Sequence, residues 1–235
     1  MGSRRVDAVS CLDAQPLFNG MHASDLARIA AASQFQKLAR GDTLFHAGQA
    51  CEGLYLVVEG QVKLYAKADS GHEKVIEVIE EGGCVAEAPM FSEGGHSIHA
   101  SALSDTTLLM VPRGVLVREI ERNPGLALRM LGGLSRRLNT LVREIEAVTL
   151  HSGVKRVVDY LLGSPAAREA GQVTTTATRD LTVSLPASKG TIASLLSVTP
   201  EHFSRILHDL QAHGLISVQR RQIHILDAQG LASYA

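Results

Sequence analysis

Apolar and polar residues alternate in short runs between about residue 38 and residue 112, and glycines punctuate the runs. In GLYLVVEG (53–60), Leu54, Leu56 and Val58 alternate with Tyr55 and Val57; in QVKLYAK (61–67), Val62 and Leu64 alternate with Lys63 and Tyr65. GDTLF (41–45), KVIEVIEEGG (74–83) and SIHASALSDTTLLMV (97–111) are of the same kind. A period of two belongs to strands, whose side chains point alternately to opposite faces. Turn signals roughly every 8–12 residues predict an antiparallel roll or barrel. Ahead of it, SDLARIAAASQF (24–35) has a helical period that puts Leu26, Ile29, Ala30 and Ser33 on one side, with Ser24 as the cap.

The pattern then changes. Asn123 is a good N-cap and Pro124 suits a first helical turn. Behind them, Ala127, Leu131, Leu134, Leu138, Leu141, Ile145 and Val148 follow at spacings of 4, 3, 4, 3, 4 and 3, with Arg136, Arg137, Arg143, Glu144 and Glu146 mostly off that line. This is the seam of a coiled coil, and it predicts a helix that pairs with a second copy of itself. A core helix packed on its own domain is the competing reading. A shorter helix near 151–163 should bury Val154, Val157, Val158, Leu161 and Leu162 and stop at Gly163-Ser164-Pro165. Residues 164–180 look like a loop followed by a Thr-rich strand.

Two further helices are expected at about 186–196 and 200–213, joined by a tight turn and closed by Gly214. LISVQRRQIHIL (215–226) reads as two strands around Arg220-Arg221. In the second of these helices Phe203, Ile206, Leu207 and Leu210 form an apolar stripe, and Glu201, Ser204, Arg205 and His208 occupy another face. Thr199 caps it and Pro200 opens it, so its free N–H groups and positive dipole end are available to a phosphate backbone. Arginine can pair bidentately with guanine, a carboxylate can accept from the cytosine amino group, and a serine hydroxyl adapts to either. Glu-x-x-Ser-Arg alone is usually a solvated face; the preceding helix, the turn and the basic hairpin tip make it a candidate DNA-reading surface. The expected architecture is α+β. It comprises an N-terminal roll of cupin-like jelly-roll kind (1–122), a dimerisation helix (123–150) and a C-terminal winged helix-turn-helix (151–235).

Composition narrows the class. The 235 residues are 45% hydrophobic and 20% charged, enough to bury a core. A net charge of -1 excludes a polybasic nucleic-acid coat, but the charge is uneven: residues 1–112 hold 8 Lys+Arg against 14 Asp+Glu, and residues 113–235 hold 15 against 10. Any DNA contact is therefore expected in the rear half. No apolar run approaches the ~20 residues a membrane helix needs, and the N-terminus has no signal-peptide core. A cytoplasmic protein without membrane contact is the expectation. Cys11, Cys51 and Cys84 are too few and scattered for a disulfide framework or a zinc ribbon.

On these residues the chain resembles the CRP/FNR family of bacterial transcription regulators over nearly its whole length. Gly41, Gly48, Gly53 and Gly60 match the family's characteristic glycines, and TPEHFSRILHDL (199–210) looks like the reading helix of the FNR branch. The resemblance implies a homodimer on double-stranded DNA. Glu201, Ser204 and Arg205 would read TTGAT-N4-ATCAA inverted repeats, Thr199, His208, Arg220 and Arg221 would support them, and RNA polymerase would be a partner. Leu131, Leu134, Leu138, Leu141, Ile145 and Val148 would form the dimer interface. One departure is Ser197, where the turn of the motif often has glycine.

The resemblance also bears on the effector. In CVAEAPMFSEGGHSIHA (84–100), Glu87 stands in the ribose-binding place of the cyclic-AMP branch, but Ser97 and Ile98 stand where a phosphate-clamping Arg-Ser pair belongs. A buried phosphate would lack its charge partner, which opposes cyclic AMP. Cys11 alone does not support an iron–sulfur cluster. VAEAPMF and SVTPEHFSRILHDL are similar to the Dnr-like branch of denitrification regulators, which implies haem and nitric oxide as candidates; Gln15 and Pro16 stand where histidines would be expected there. Axial-ligand candidates are His22, His72, His96, His99 and His151, and the identity of any metal stays open. A cyclic-nucleotide-responsive regulator or signalling module is the alternative. A metal-dependent cupin enzyme is disfavoured because His96 and His99 fall on opposite faces of a strand and no carboxylate follows at ligand spacing.

Overall fold

The computed structural model describes residues 7–92, 94–163 and 181–234. The chain divides into two compact units, Met1–Thr140 and Leu141–Ala235.

The first unit opens with α1 (Ala8–Asp13), a 3₁₀ turn (Pro16–Phe18) and α2 (Ala23–Ala32). Eight strands follow: β1 (Gln34–Leu38), β2 (Thr43–Phe45), β3 (Gly53–Glu59), β4 (Gln61–Lys67), β5 (Glu73–Glu80), β6 (Cys84–Val85), β7 (His99–Ala102) and β8 (Thr106–Pro112). They form two antiparallel four-stranded sheets, ordered β1-β8-β3-β6 and β2-β7-β4-β5. The alternation in β3 marks two buried faces instead of one inside and one outside. Tyr55 and Val57 join Phe45, Val62 and Ala100 between the sheets. Leu54 and Leu56 pack the other way, against Leu12, Phe18, Ile29, Leu116 and Leu126. Helices on the outer face of the first sheet account for this.

Several expectations shift here. The first predicted helix ends at Ala32, because Gln34 and Phe35 pair with Met110 and Leu109 as strand β1. Ser24 lies inside that helix and its hydroxyl bonds Asp25, so it does not cap; the N-cap position is His22. The apolar run 97–111 is broken at Ser104-Asp105 and supplies one strand to each sheet. Gly53 and Gly60 are both required: a Cβ at Gly53 would stand 2.2 Å from the Val111 carbonyl oxygen, and Gly60 adopts φ +92 with a Cβ position 2.5 Å from the Asp105 carbonyl oxygen.

Helix α3 (Arg113–Arg122) was not legible as a separate element. It is tied down by Glu119, a buried carboxylate. Glu119 accepts from Arg28 Nε (3.1 Å) and Nη2 (2.9 Å) and from Arg122 Nη1 (2.7 Å). The bidentate fork from α2 holds two helices together and answers the charge that burial would otherwise penalise.

Helix α4 (Pro124–Leu150) begins in this unit, with the Asn123 side chain accepting from Gly125 N–H as expected of a cap. Its first turns bury Leu126 and Met130 in the unit's own core. The heptad line is a different stripe. Leu131, Leu138 and Ile145 are 58%, 61% and 68% exposed, Val148 is exposed, and Leu134 and Leu141 are half-buried.

The second unit contains α5 (Gly153–Leu162), β9 (Leu181–Ser184), α6 (Lys189–Leu195), α7 (Pro200–Ala212), β10 (Ile216–Gln219), β11 (Gln222–Ile225) and α8 (Ala228–Ser233). Strands β10, β11 and β9 form one antiparallel sheet in that order. Val157, Val158 and Leu161 of α5 are buried, whereas Val154 and Leu162 are only partly so. The loop and Thr-rich strand expected over 164–180 lie outside the described residues.

Hydrogen bonding from Arg28, reinforced by Arg122, holds the Glu119 carboxyl below the usual carboxylate range against the opposing effect of burial. Its stabilisation is therefore complete above the ordinary carboxyl pKa and is lost as pH falls through the lowered folded value. Glu119→Gln should cost about 1–2 kcal/mol at neutral pH, and the gap from wild type should close in acid; urea denaturation at several pH values measures both.

Candidate nucleic-acid interface and effector pocket

The candidate recognition surface is built from two helix ends. Ser188 caps α6 by accepting from Thr191 N–H at 3.1 Å, and Thr199 caps α7 by accepting from His202 N–H at 3.2 Å. Both helices finish in the same way. Val198 N–H reaches Ala193 O and Ser197 N–H reaches Ser194 O; Leu215 N–H reaches Leu210 O and Gly214 N–H reaches Gln211 O. This paired pattern needs a left-handed residue, supplied by Ser197 (φ 56) in the first case and by Gly214 (φ 71) in the second. A left-handed serine costs about 1–2 kcal/mol relative to glycine, so the turn between the helices requires support.

Arg156 of α5 supplies it. Its Nε donates to Leu196 O (2.9 Å), its Nη2 to Ser197 O (3.1 Å) and its Nη1 to His151 O (2.6 Å). A cation thus sits on the carbonyl end of α6, where the dipole favours it, and joins the end of α4 to the turn before α7. The sequence analysis missed Arg156. Its signal was faint: a lone arginine among Val154, Val157 and Val158 looks like a solvated helix position.

On α7 the stripe Phe203, Ile206, Leu207 and Leu210 is buried. Glu201, Ser204, Arg205 and His208 are exposed together, with Thr199 at the helix entrance. Arg205 makes no ion pair among the described residues, and the His208 ring lies 3.8 Å from Asp209. Arg220 and Arg221 form the exposed two-residue loop between Gln219 and Gln222. Arg220 has φ 56, a conformation glycine would take more cheaply.

The effector residues are not brought together. Glu87 lines a pocket of about 890 Å³ in the first unit, with Gln15, Pro16 and Leu17 on one side, β5 and Gly82-Gly83-Cys84 on another, and Leu128, Arg129, Gly132, Gly133 and Arg136 of α4 on a third. Ser97 and Ile98 do not line it; Ser97 is exposed and Ile98 half-buried. Ala86, just before Glu87, is held at φ 72, a strained setting for alanine that presents the carboxylate. Burial pushes the Glu87 carboxyl up, and Arg136 offsets part of that shift.

Haem iron takes histidine, thiolate, methionine or tyrosine ligands. Of these types the pocket lining holds only Cys84, whose thiol is pushed up to about 12 by burial, with Glu87 adding to the shift. It points its sulfur at Gln15 Oε1, 3.7 Å away. The lining does not fit a haem. Of the histidine candidates, His96 is buried, against expectation, stacked on Phe45 at 3.5 Å with its Nδ1 unpartnered. His22 and His72 are exposed, and His99 and His151 are half-buried. Among the described residues no group of three or more His, Cys, Asp or Glu could hold a metal ion.

Comparison with known proteins follows the same division. Residues 35–123 match the cyclic nucleotide-binding domain, and residues 155–234 match the Crp-like helix-turn-helix domain. The global nitrogen regulator of Synechococcus elongatus is 27% identical over 201 residues, covering 85% of this chain and 88% of that protein. The structure of DNR from Pseudomonas aeruginosa is 31% identical, covers 100% of both chains and superposes with a TM-score of 0.51. FixK2 from Bradyrhizobium japonicum, 21% identical over 86% of this chain and 96% of its own, shares the fold with a TM-score of 0.73. The chain belongs to the CRP/FNR family and is a DNA-binding transcription regulator. Its relatives are regulators, not enzymes, which sets aside the catalytic use of the roll. No described helix is long and apolar enough to cross a membrane.

If Arg156 holds the turn, Arg156→Ala should lower urea stability by about 2 kcal/mol and DNA affinity by about tenfold. Arg156→Lys should recover little, since one ammonium does not span three carbonyls; gel shift and denaturation on the same preparations test this.

Proposed function

We propose that this regulator works as a homodimer that reads TTGAT-N4-ATCAA inverted repeats. The observation that carries the reading is the exposure of Glu201, Ser204 and Arg205 on a capped helix whose opposite stripe is buried. Arg205 would pair with guanine, Glu201 would accept from cytosine and Ser204 would make an adaptable contact. Thr199, His208 and the wing arginines Arg220 and Arg221 would position these residues on the phosphate backbone.

The exposed line Leu131, Leu138, Ile145 and Val148, flanked by half-buried Leu134 and Leu141, supports pairing of α4 with its copy. Apolar side chains at this density on one helix are unfavourable in water and are relieved by a partner helix. Pairing would present two reading helices about 34 Å apart, one duplex turn. An effector in the roll pocket, which α4 partly walls, would bias the dimer between DNA-competent and incompetent forms. On this reading the protein would act in the cytoplasm, with RNA polymerase as a partner. The open phosphate-clamp position at Ser97 and Ile98 argues against cyclic AMP as that effector.

Arg205→Ala should weaken binding to the repeat by about 1–3 kcal/mol and relax preference at the guanine. Gel shifts on matched and guanine-substituted duplexes measure both, and equal binding by mutant and wild type would reject the role. Leu138→Asp should raise the dimer dissociation constant by about a hundredfold or more, read by sedimentation.

A further inference from the structure

Arg129, Gly132, Gly133 and Arg136 stand at i, i+3, i+4 and i+7 on α4, so all four share one face, and all four line the pocket. Two guanidiniums thus bracket a bare glycine floor. A Cβ at Gly132 would meet only the Arg136 side chain at 3.5 Å, and one at Gly133 would meet only its tip at 4.0 Å. Among the described residues no packing requires glycine at either position, although adjacent glycines in a helix interior weaken the helix.

Arg129 donates Nε–H to Leu17 O at 2.9 Å, yet its Nη2 is buried with no hydrogen-bond partner among the described residues. A buried guanidinium N–H without an acceptor is costly and uncommon. Arg136 makes no ion pair among the described residues. None of the pocket's carboxylates makes an ion pair with Arg129 or Arg136 among the described residues, although Arg136 lies close enough to Glu87 to lower its pKa. Glu77 pairs with Arg137 at 2.9 Å, Glu80 accepts from the neutral Gln61 amide at 2.9 Å and keeps its charge, Glu81 is exposed, and burial pushes the Glu87 carboxyl up while Arg136 offsets part of that shift.

We propose that the pocket binds a small oxyanion, a carboxylate or phosphate, between Arg129 and Arg136 over the Gly132-Gly133 floor. This rests on the reading of the roll as the effector domain and names the chemical class the site accepts. Guanidinium forks match the planar oxygens of either group. The bound anion would brace α4 next to Leu131 and Leu134 of the dimer seam, which gives occupancy a direct route to helix pairing.

Isothermal calorimetry on the full chain, titrated separately with succinate and inorganic phosphate, tests the proposal and distinguishes the two sources. Saturable binding of at least one probe is expected, weakened about tenfold or more in Arg129→Gln and in Arg136→Gln. The second variant, at an exposed position, keeps the test decisive if the first fails to fold. Gly133→Leu should block uptake by filling the floor. No saturable heat with either probe overturns the proposal, as does unchanged binding in Arg136→Gln. So does a Gly133→Leu protein that loses its dimer while still taking up the anion. Gel shift on the same samples separates the two claims: DNA binding without anion uptake sinks only the pocket, and anion uptake without DNA binding sinks only the DNA reading.

Discussion

A helix that keeps its polar face free must be fixed entirely from behind and from its ends. Here burial of Phe203, Ile206, Leu207 and Leu210 supplies the first anchor. Burying four such side chains contributes several kcal/mol, on the order of 1.5–3 each, and orients the helix about its own axis. It does not set where the helix begins. That depends on the left-handed Ser197, on the Thr199 cap and on the three carbonyls gathered by Arg156. If the turn slipped by one residue, the apolar stripe and the exposed Glu201-Ser204-Arg205 face would rotate together and that face would turn inward.

The same separation of faces governs α4. Leu126 and Met130 commit its first turns to the roll, while Leu131, Leu138, Ile145 and Val148 of the heptad line stay exposed. A third face carries Arg129, Gly132, Gly133 and Arg136 toward the pocket. One helix therefore carries a core stripe, an exposed apolar stripe and a pocket-lining stripe. On the proposed reading, a ligand in the pocket would need only to change the rotation or bend of this helix slightly to alter the seam, because packed interfaces switch between discrete arrangements.

Strained backbone collects where function is argued. Ala86 precedes Glu87, Ser197 makes the inter-helix turn and Arg220 begins the wing tip, and these are the non-glycine residues at positive φ among those described. Each keeps a side chain or a register that relaxed geometry would lose. Gly53 and Gly60 sit at the opposite extreme, where the close approach of β3 to β8 and of the β3–β4 turn to Asp105 leaves no room for a Cβ.

The sequence by itself determined the roll, the long helix, the paired C-terminal helices and hairpin, and the exposed Glu201-Ser204-Arg205 face. Period-two runs, a strict heptad and capped amphipathic helices are local signals, and local energetics settled them. It determined the Ser197 departure too, since the turn's geometry follows from helix-end hydrogen bonding. Tertiary structure alone decided which apolar face of β3 faced what, because both are buried. It converted Gln34 and Phe35 from helix to strand through pairing with β8. It also brought Glu119 to Arg28, Arg156 to three distant carbonyls, and Glu87 to Arg129 and Arg136 in place of Ser97 and Ile98. Those are contacts between residues far apart in the chain, and long-range charge pairing leaves no periodicity to read.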